Sequence, residues 1–189
     1  AIKEGLTCTT HTYNSMRSYE KDKIGTVGSA LLCDELYTEL ICDGIHVSIP
    51  AVKFLCKNKP SNKIVLISDA LRTKGMPDGI YPFGGLEIEV HGNRATIAGH
   101  PETLAGSVTS LMGCMKKAVE FGIPLADAVR ASSYNPAQAI KIDDRAGSLE
   151  IGKDANIAIF DGNPMEVFTK TLYTIIDGEI VYEPKDIDN

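Results

Sequence analysis

The segment Lys63-Ile-Val-Leu-Ile-Ser-Asp-Ala70 is an uninterrupted apolar run that stops on a carboxylate. Its β-branched content suits a strand buried on both faces, which places Asp69 at the C-terminal tip. Parallel α/β folds keep their chemistry at that end of the strand. Taken alone, the same aspartate reads equally well as a loop residue capping a helix.

The segments upstream repeat the pattern. Leu6 to Thr10 is short, β-prone and ends at His11, and Leu36 to Cys42 is a second strand followed by Asp43-Gly44-Ile45-His46. Small and apolar residues from Gly25 to Asp34 form a helix between them. Ser48 and Pro50 open another as N-cap and first-turn proline, running to about Asn58. His11 precedes His46 by 35 residues and His46 precedes Asp69 by 23, close to the roughly 30 residues of a strand-helix-strand unit. Right-handed crossovers make the three strands parallel neighbours, with their tips facing one cleft.

Beyond Asp69 the rhythm changes. Arg72 to Gly85 is rich in Gly and Pro, and Leu86 to Val90 pairs with Arg94 to Ala98 as a hairpin closed by His91-Gly92-Asn93. Leu104 to Ser107 approaches an amphipathic helix carrying Val108, Leu111, Met112, Met115 and Val119, with Ser107 as its cap and Gly122 as its stop. Pro124 starts a further helix, and Asn135-Pro136 opens a short one with Asn135 as cap. The last forty residues are turn-rich and β-prone, with Asp177-Gly178 marking a hairpin.

Composition limits the function classes. Of 189 residues, 43% are hydrophobic and 23% charged, an ordinary globular balance. No apolar stretch approaches the roughly 18 residues of a membrane span, and the first residues lack the pattern of a signal peptide. A net charge of −6 disfavours a nucleic-acid partner, because phosphate backbones reward clustered cations. Five cysteines with no C-x-x-C pair read as reduced, mostly buried thiols of a cytoplasmic protein.

Two imidazoles and a carboxylate at adjacent tips offer a metal ligand, a polarising donor and a proton shuttle. A divalent ion lowers the pKa of bound water from 15.7 to about 7, and a neighbouring carboxylate can relay the proton to a leaving group. That set suits amide hydrolysis. A catalytic zinc normally takes three protein ligands, however, and this chain offers too few.

The segments Thr10-His11-Thr12-Tyr13-Asn14-Ser15-Met16, Asp43-Gly44-Ile45-His46, Ile67-Ser68-Asp69-Ala70 and Leu104-Ala105-Gly106-Ser107 resemble, in order and spacing, those of the N-acetylglucosamine-6-phosphate deacetylases of the amidohydrolase superfamily. Asn135-Pro136-Ala137 and Gly147 to Ala155 are similar to stretches found more widely in amidohydrolases. The resemblance implies an α/β fold. Residues 1–145 would be the C-terminal part of a (β/α)8 barrel of the TIM type, with about three parallel strands, and residues 146–189 would be strands of a small β-sandwich domain. It also implies that the remaining metal ligands lie upstream of Ala1.

Carried over by position, His11 is a ligand of a divalent metal such as zinc or iron. Asn14 and Ser15 hold the sugar phosphate, and Asp43, Gly44, Ile45 and His46 line the substrate site, with His46 donating to substrate. Asp69 is the acid-base residue, and Leu104, Ala105 and Gly106 pack near the N-acetyl group. The family's phosphate-binding arginine has no counterpart in Asp22-Lys23-Ile24-Gly25, where Lys21 or Lys23 supplies at most a point charge. The implied activity is hydrolysis of N-acetylglucosamine 6-phosphate to glucosamine 6-phosphate and acetate. The rivals are another amidohydrolase acting on a cyclic amide or acetylated sugar, and an inactive piece that binds sugar phosphate or self-associates. A part-barrel with open sheet edges predicts a homodimer or higher self-association.

Overall fold

A computed structural model describes residues 1–166 and 169–184. The chain divides into two compact units, Ala1–Ser132 and Ser133–Asn189.

The first unit is built on a parallel sheet of three strands, β1 (Cys8–Thr9), β2 (Tyr37–Ile41) and β3 (Ile64–Ile67), in that spatial order. The crossovers carry helices α1 (Gly25–Leu32) and α2 (Ile49–Asn58). Leu40 pairs with Leu66, and Ile41 with Ile67. Strands of this kind are apolar on both faces because helices cover one side and the partner layer the other. Leu40 and Ile41 are fully buried, and Val65 and Leu66 nearly so. Strand alternation puts Glu39 and Ile41 on the face opposite Leu40, and Asp43 and Asp69 each follow two residues after the register partners Ile41 and Ile67.

Lys59 locks the helical layer. Its stem is buried, and its ammonium donates to the carbonyls of Ala30 (2.9 Å) and Cys33 (2.5 Å), groups left over at the C-terminus of α1. Burial pushes its pKa down, opposed by the nearby carboxylate of Asp34. The other end of α1 needs a glycine. Gly25 has φ +60, and a Cβ there would come within 2.5 Å of the Arg17 carbonyl, which itself accepts from Thr26 N–H.

An antiparallel sheet follows: β4 (Gly79–Phe83), β5 (Leu86–His91), β6 (Arg94–Ile97) and β7 (His100–Leu104), paired in sequence order. Its central hairpin matches the sequence expectation, with Ile88 and Val90 turned inward. The outer strands do not announce themselves, since β4 contains Pro82. A proline is tolerated there because β4 is an edge, where no partner needs its missing N–H. Helices α3 (Leu111–Glu120) and α4 (Leu125–Ser132) complete the unit.

The cap of α3 corrects the sequence reading. Ser110, not Ser107, accepts from the N–H of Gly113 at 2.9 Å, and Val108 lies before the helix. Gly122 does end α3 as expected: it has φ +99, its N–H reaches Val119 O, and Ile123 N–H reaches Ala118 O, the paired bonds of a Schellman motif.

In the second unit α5 (Tyr134–Ala139) is followed by the antiparallel strands β8 (Ile157–Phe160), β9 (Thr171–Ile176) and β10 (Glu179–Tyr182). Ser133 occupies the cap position of α5, so Asn135 is a fully buried residue within the helix rather than its cap. Asp177 (φ +51) and Gly178 (φ +82) form the two-residue turn of the expected hairpin. All five cysteines are free thiols, with Cys42 and Cys114 buried and the other three half-buried. Burial raises the Cys42 thiol to about 12. Among the described residues no helix is long and apolar enough to cross a membrane.

Candidate active site

Because β1, β2 and β3 run parallel and side by side, the segments that follow them emerge at one end of the sheet. After β2, Asp43 turns the chain. One of its carboxylate oxygens accepts the N–H groups of Ile45 (2.8 Å) and His46 (2.9 Å), and the other accepts His46 Nδ1–H at 2.7 Å. Gly44 supports this turn with φ +78, and a Cβ there would press on Phe121 at 3.3 Å. The side chains of Asp43 and His46 are only 4% and 6% exposed, so the pair operates largely away from water.

The second nitrogen of His46, Nε2, lies 3.1 Å from the carbonyl oxygen of Gly106. An acceptor on each nitrogen favours the doubly protonated ring. Burial alone would lower the pKa of His46, but the hydrogen bond and charge of Asp43 outweigh it and the net direction is upward, with Asp69 adding to the rise. Asp43 shows the complementary balance. Burial acts to raise its pKa, and the bonds from His46 and Ile45 bring it below the ordinary carboxylate value.

The segment 104–107 also grips Asp69. Ser107 N–H donates to the Asp69 carbonyl at 2.8 Å, Leu71 N–H donates to the Ser107 carbonyl at 2.8 Å, and the Ser107 hydroxyl donates to Ser68 O. Ala70 and Ser107 form a parallel bridge, so this short stretch extends the sheet beside β3. Asp69 is held at φ +50 in this clasp. Gly106 fits because it has no side chain, since a Cβ would meet Leu71 Cδ2 at 2.7 Å and the Asp69 carbonyl at 3.1 Å. Ala105, buried, is pinned from the other side by its N–H bond to Ala95 O at 3.0 Å. His46, Asp69 and Gly106 are thus brought together through one backbone segment, and Leu104 lies at its start.

The β1 corner is built differently. His11, Tyr13 and Ser15 all have positive φ, at 29, 83 and 53 degrees, an alternation that non-glycine residues adopt only under constraint. The constraints are visible. Thr12 N–H bonds Glu39 O (2.8 Å), Asn14 uses both its N–H (2.9 Å) and its side-chain amide (3.3 Å) on the His11 carbonyl, and the Tyr13 hydroxyl donates to Ala51 O of α2 (3.0 Å). His11 Nδ1 is buried and has no hydrogen-bond partner among the described residues. Lys21 and Lys23 are exposed on a tight turn closed by reciprocal Glu20 and Lys23 backbone bonds.

Three contributors are absent from the sequence reading of the site: Glu39, Tyr13 and the grip of Ser107. Glu39 leaves a signal, being the one charged residue within its strand, four residues before Asp43 and on its side of the alternation. Tyr13 and Ser107 leave none, because their roles lie in long-range backbone contacts.

A lone buried imidazole nitrogen suits a metal ligand, and an orphaned polar atom of this kind is costly unless something binds it. It is one ligand position: among the described residues no group of three or more His, Cys, Asp or Glu is placed to hold a metal ion.

Comparison with known proteins matches this arrangement to a class. The amidohydrolase family model covers residues 1–181, and the chain belongs to the amidohydrolase family. Within it, the chain is 36% identical over 189 residues to the N-acetylglucosamine-6-phosphate deacetylase of Bacillus subtilis, spanning all of this chain but 46% of that protein. It is 38% identical over 152 residues to a putative N-acetylgalactosamine-6-phosphate deacetylase of Escherichia coli K12, covering 80% of this chain and 89% of that one. The crystal structure of N-acetylglucosamine-6-phosphate deacetylase from Pasteurella multocida superposes with a TM-score of 0.86 at 32% identity, over 95% of this chain and 45% of that chain. The chain thus spans about half the length of the Bacillus and Pasteurella relatives it matches.

Proposed function

We propose that this chain is the C-terminal half of a deacetylase that hydrolyses the acetamide of N-acetylglucosamine 6-phosphate. The observation that carries the reading is the junction at Gly106 and Ser107, where one segment bonds His46 through its carbonyl and holds Asp69 through its backbone. In this reading residues 1–145 are part of a (β/α)8 barrel, and residues 146–189 are strands of a small β-sandwich domain. The three parallel strands with their helices support the first assignment, and the hairpin β9–β10 the second.

His11 would hold a divalent metal together with ligands supplied from outside these 189 residues. When bound, such an ion contributes Lewis-acid polarisation of the amide and an acidified water. Asp69 accepts the proton of the attacking water and returns it to the departing amine. His46, charged through Asp43, donates to the substrate once its Nε2 turns from the Gly106 carbonyl, and Asn14 with the Ser15 backbone receives the phosphate. Leu104, Ala105 and Gly106 form the wall against the acetyl group. The isolated 189 residues, with one ligand position, are inactive in this account. The open edge at β1 favours pairing with a further copy or with the missing half, in the cytoplasm.

Protein made from the complete reading frame that encodes these residues is expected to release acetate from N-acetylglucosamine 6-phosphate. Asp69→Asn should lower kcat by about 10² to 10⁴. Unchanged turnover in that variant removes Asp69 from the mechanism. The 38% identity to an N-acetylgalactosamine-6-phosphate deacetylase favours a second reading, in which the preferred sugar is the 4-epimer. Comparing kcat/KM for the two phosphorylated epimers, with their unphosphorylated forms and a cyclic amide alongside, decides between them.

A further inference from the structure

We infer that Glu39 is the positioning residue for His11, setting the direction of its imidazole by holding the backbone on which it sits. The inference rests on the proposed role of His11 as a metal ligand and adds what aims it.

Glu39 is the one charged residue within β2, and a half-buried carboxylate in a strand needs donors nearby. Glu39 finds them in the neighbouring strand. Its Oε2 accepts the Thr10 hydroxyl at 2.7 Å and the His11 N–H at 3.2 Å, while its own carbonyl accepts the Thr12 N–H at 2.8 Å. One residue therefore fastens three consecutive residues. A bond of 3.0 Å between the Thr9 and Thr12 hydroxyls closes the turn beneath them.

The fastening matters because His11 sits at φ +29, where a residue with a Cβ is strained and relaxes unless held. Metal-binding histidines are usually oriented by a hydrogen bond to the ring. Among the described residues the His11 ring makes no such bond through either nitrogen, so its direction comes from the backbone. Removing the clamp would let φ fall back toward the β region and swing the imidazole. Both donors fall on the same carboxylate oxygen, so the hold depends on reach more than on charge.

Reach and charge separate in two variants. Glu39→Gln keeps an acceptor oxygen at the same distance and loses the charge, whereas Glu39→Asp keeps the charge and shortens the side chain by one methylene. The test uses protein from the complete reading frame, stripped of metal and titrated with Zn²⁺ against a chromophoric chelator, with thermal midpoints of the metal-free forms measured in parallel. Glu39→Asp is expected to weaken Zn²⁺ binding about 10- to 100-fold, the scale seen when outer partners of metal ligands are lost. Glu39→Gln should stay within about threefold because both hydrogen bonds survive. Glu39→Ala should behave like the aspartate, which keeps the test open if that variant misfolds.

Wild-type Zn²⁺ affinity in both the aspartate and alanine variants overturns the inference, even if their thermal midpoints fall, because Glu39 would then serve only the sheet. The reverse order, with glutamine the more damaging, also overturns it by making charge the active ingredient. His11→Ala calibrates the assay. If it too binds Zn²⁺ normally, the ligand role of His11 fails, and the proposed mechanism fails with it. A large loss in His11→Ala beside normal binding in the Glu39 variants sinks the positioning role alone.

Discussion

The two corners of the site are finished to different degrees. Around His46 the identified polar groups bind one another: Asp43 takes three donors, both imidazole nitrogens face acceptors, and Ser107 closes on Asp69. Around His11 the backbone is bent through three positive-φ residues, and a buried ring nitrogen has no partner among the described residues. The first corner is stabilised by its own contacts. The second stores strain and an unmet bond, which is what a residue kept for an external ligand looks like in a structure of the chain alone.

The comparison breaks most readily at Gly106. Alanine there places a methyl group 2.7 Å from Leu71 Cδ2 and puts a Cβ on a residue at φ +53. Strain and overpacking together should cost about 2 to 4 kcal/mol, measured by chemical denaturation. Because the same segment carries Ser107, Asp69 should loosen with it. A variant as stable as the parent would mean that the clasp is incidental.

The Asp43 and His46 pair comes next, and its signature is its dependence on pH. Relative to Asp43→Asn, the parent should gain about 1.5 to 3 kcal/mol where both groups are charged. His46 is shifted upward in the folded protein, so its contribution is complete below its ordinary value of 6.5 and is lost as pH rises through the higher folded value. Asp43 is shifted downward, so its contribution is complete above its ordinary 3.8 and is lost as pH falls through the lower folded value. The stability difference should therefore be flat between about pH 4 and 6.5 and shrink on either side. Stability curves that run parallel from pH 5 to 9 would show that the imidazole does not carry the charge assigned to it.

What could be read from the chain in advance follows the same division. The strands ending at His11, His46 and Asp69 were legible because apolar runs and their intervals are local signals, and Asp43 through His46 because Asp-Gly turns have a fixed chemistry. The clasp was not legible. Leu104 to Ser107 sits just before an amphipathic run, so Ser107 looks like a cap, and only the fold reveals that it bonds residues almost forty positions earlier while Ser110 does the capping. Strand β4 was hidden by Pro82, whose cost vanishes at a sheet edge. Asn-Pro is a common helix opening, so Asn135 reads as a cap in the sequence, whereas its burial within α5 is a tertiary effect.

The smallest change is expected where function would suffer most. Replacing His11 by glycine removes a side chain whose buried nitrogen has no partner among the described residues and relieves a backbone at φ +29 that glycine adopts freely. Against this stand the packing of the half-buried ring and the larger chain entropy of glycine in the unfolded state, each worth about 0.5 to 1 kcal/mol. The terms oppose, and the net shift by denaturation should lie within about 1 kcal/mol of zero. Glycine at Asp43, by contrast, would strand His46 and two amide N–H groups, and should cost several times as much. A loss at position 11 as large as at position 43 would mean that the first corner is held together by its histidine after all, and that its open nitrogen is not reserved for a metal.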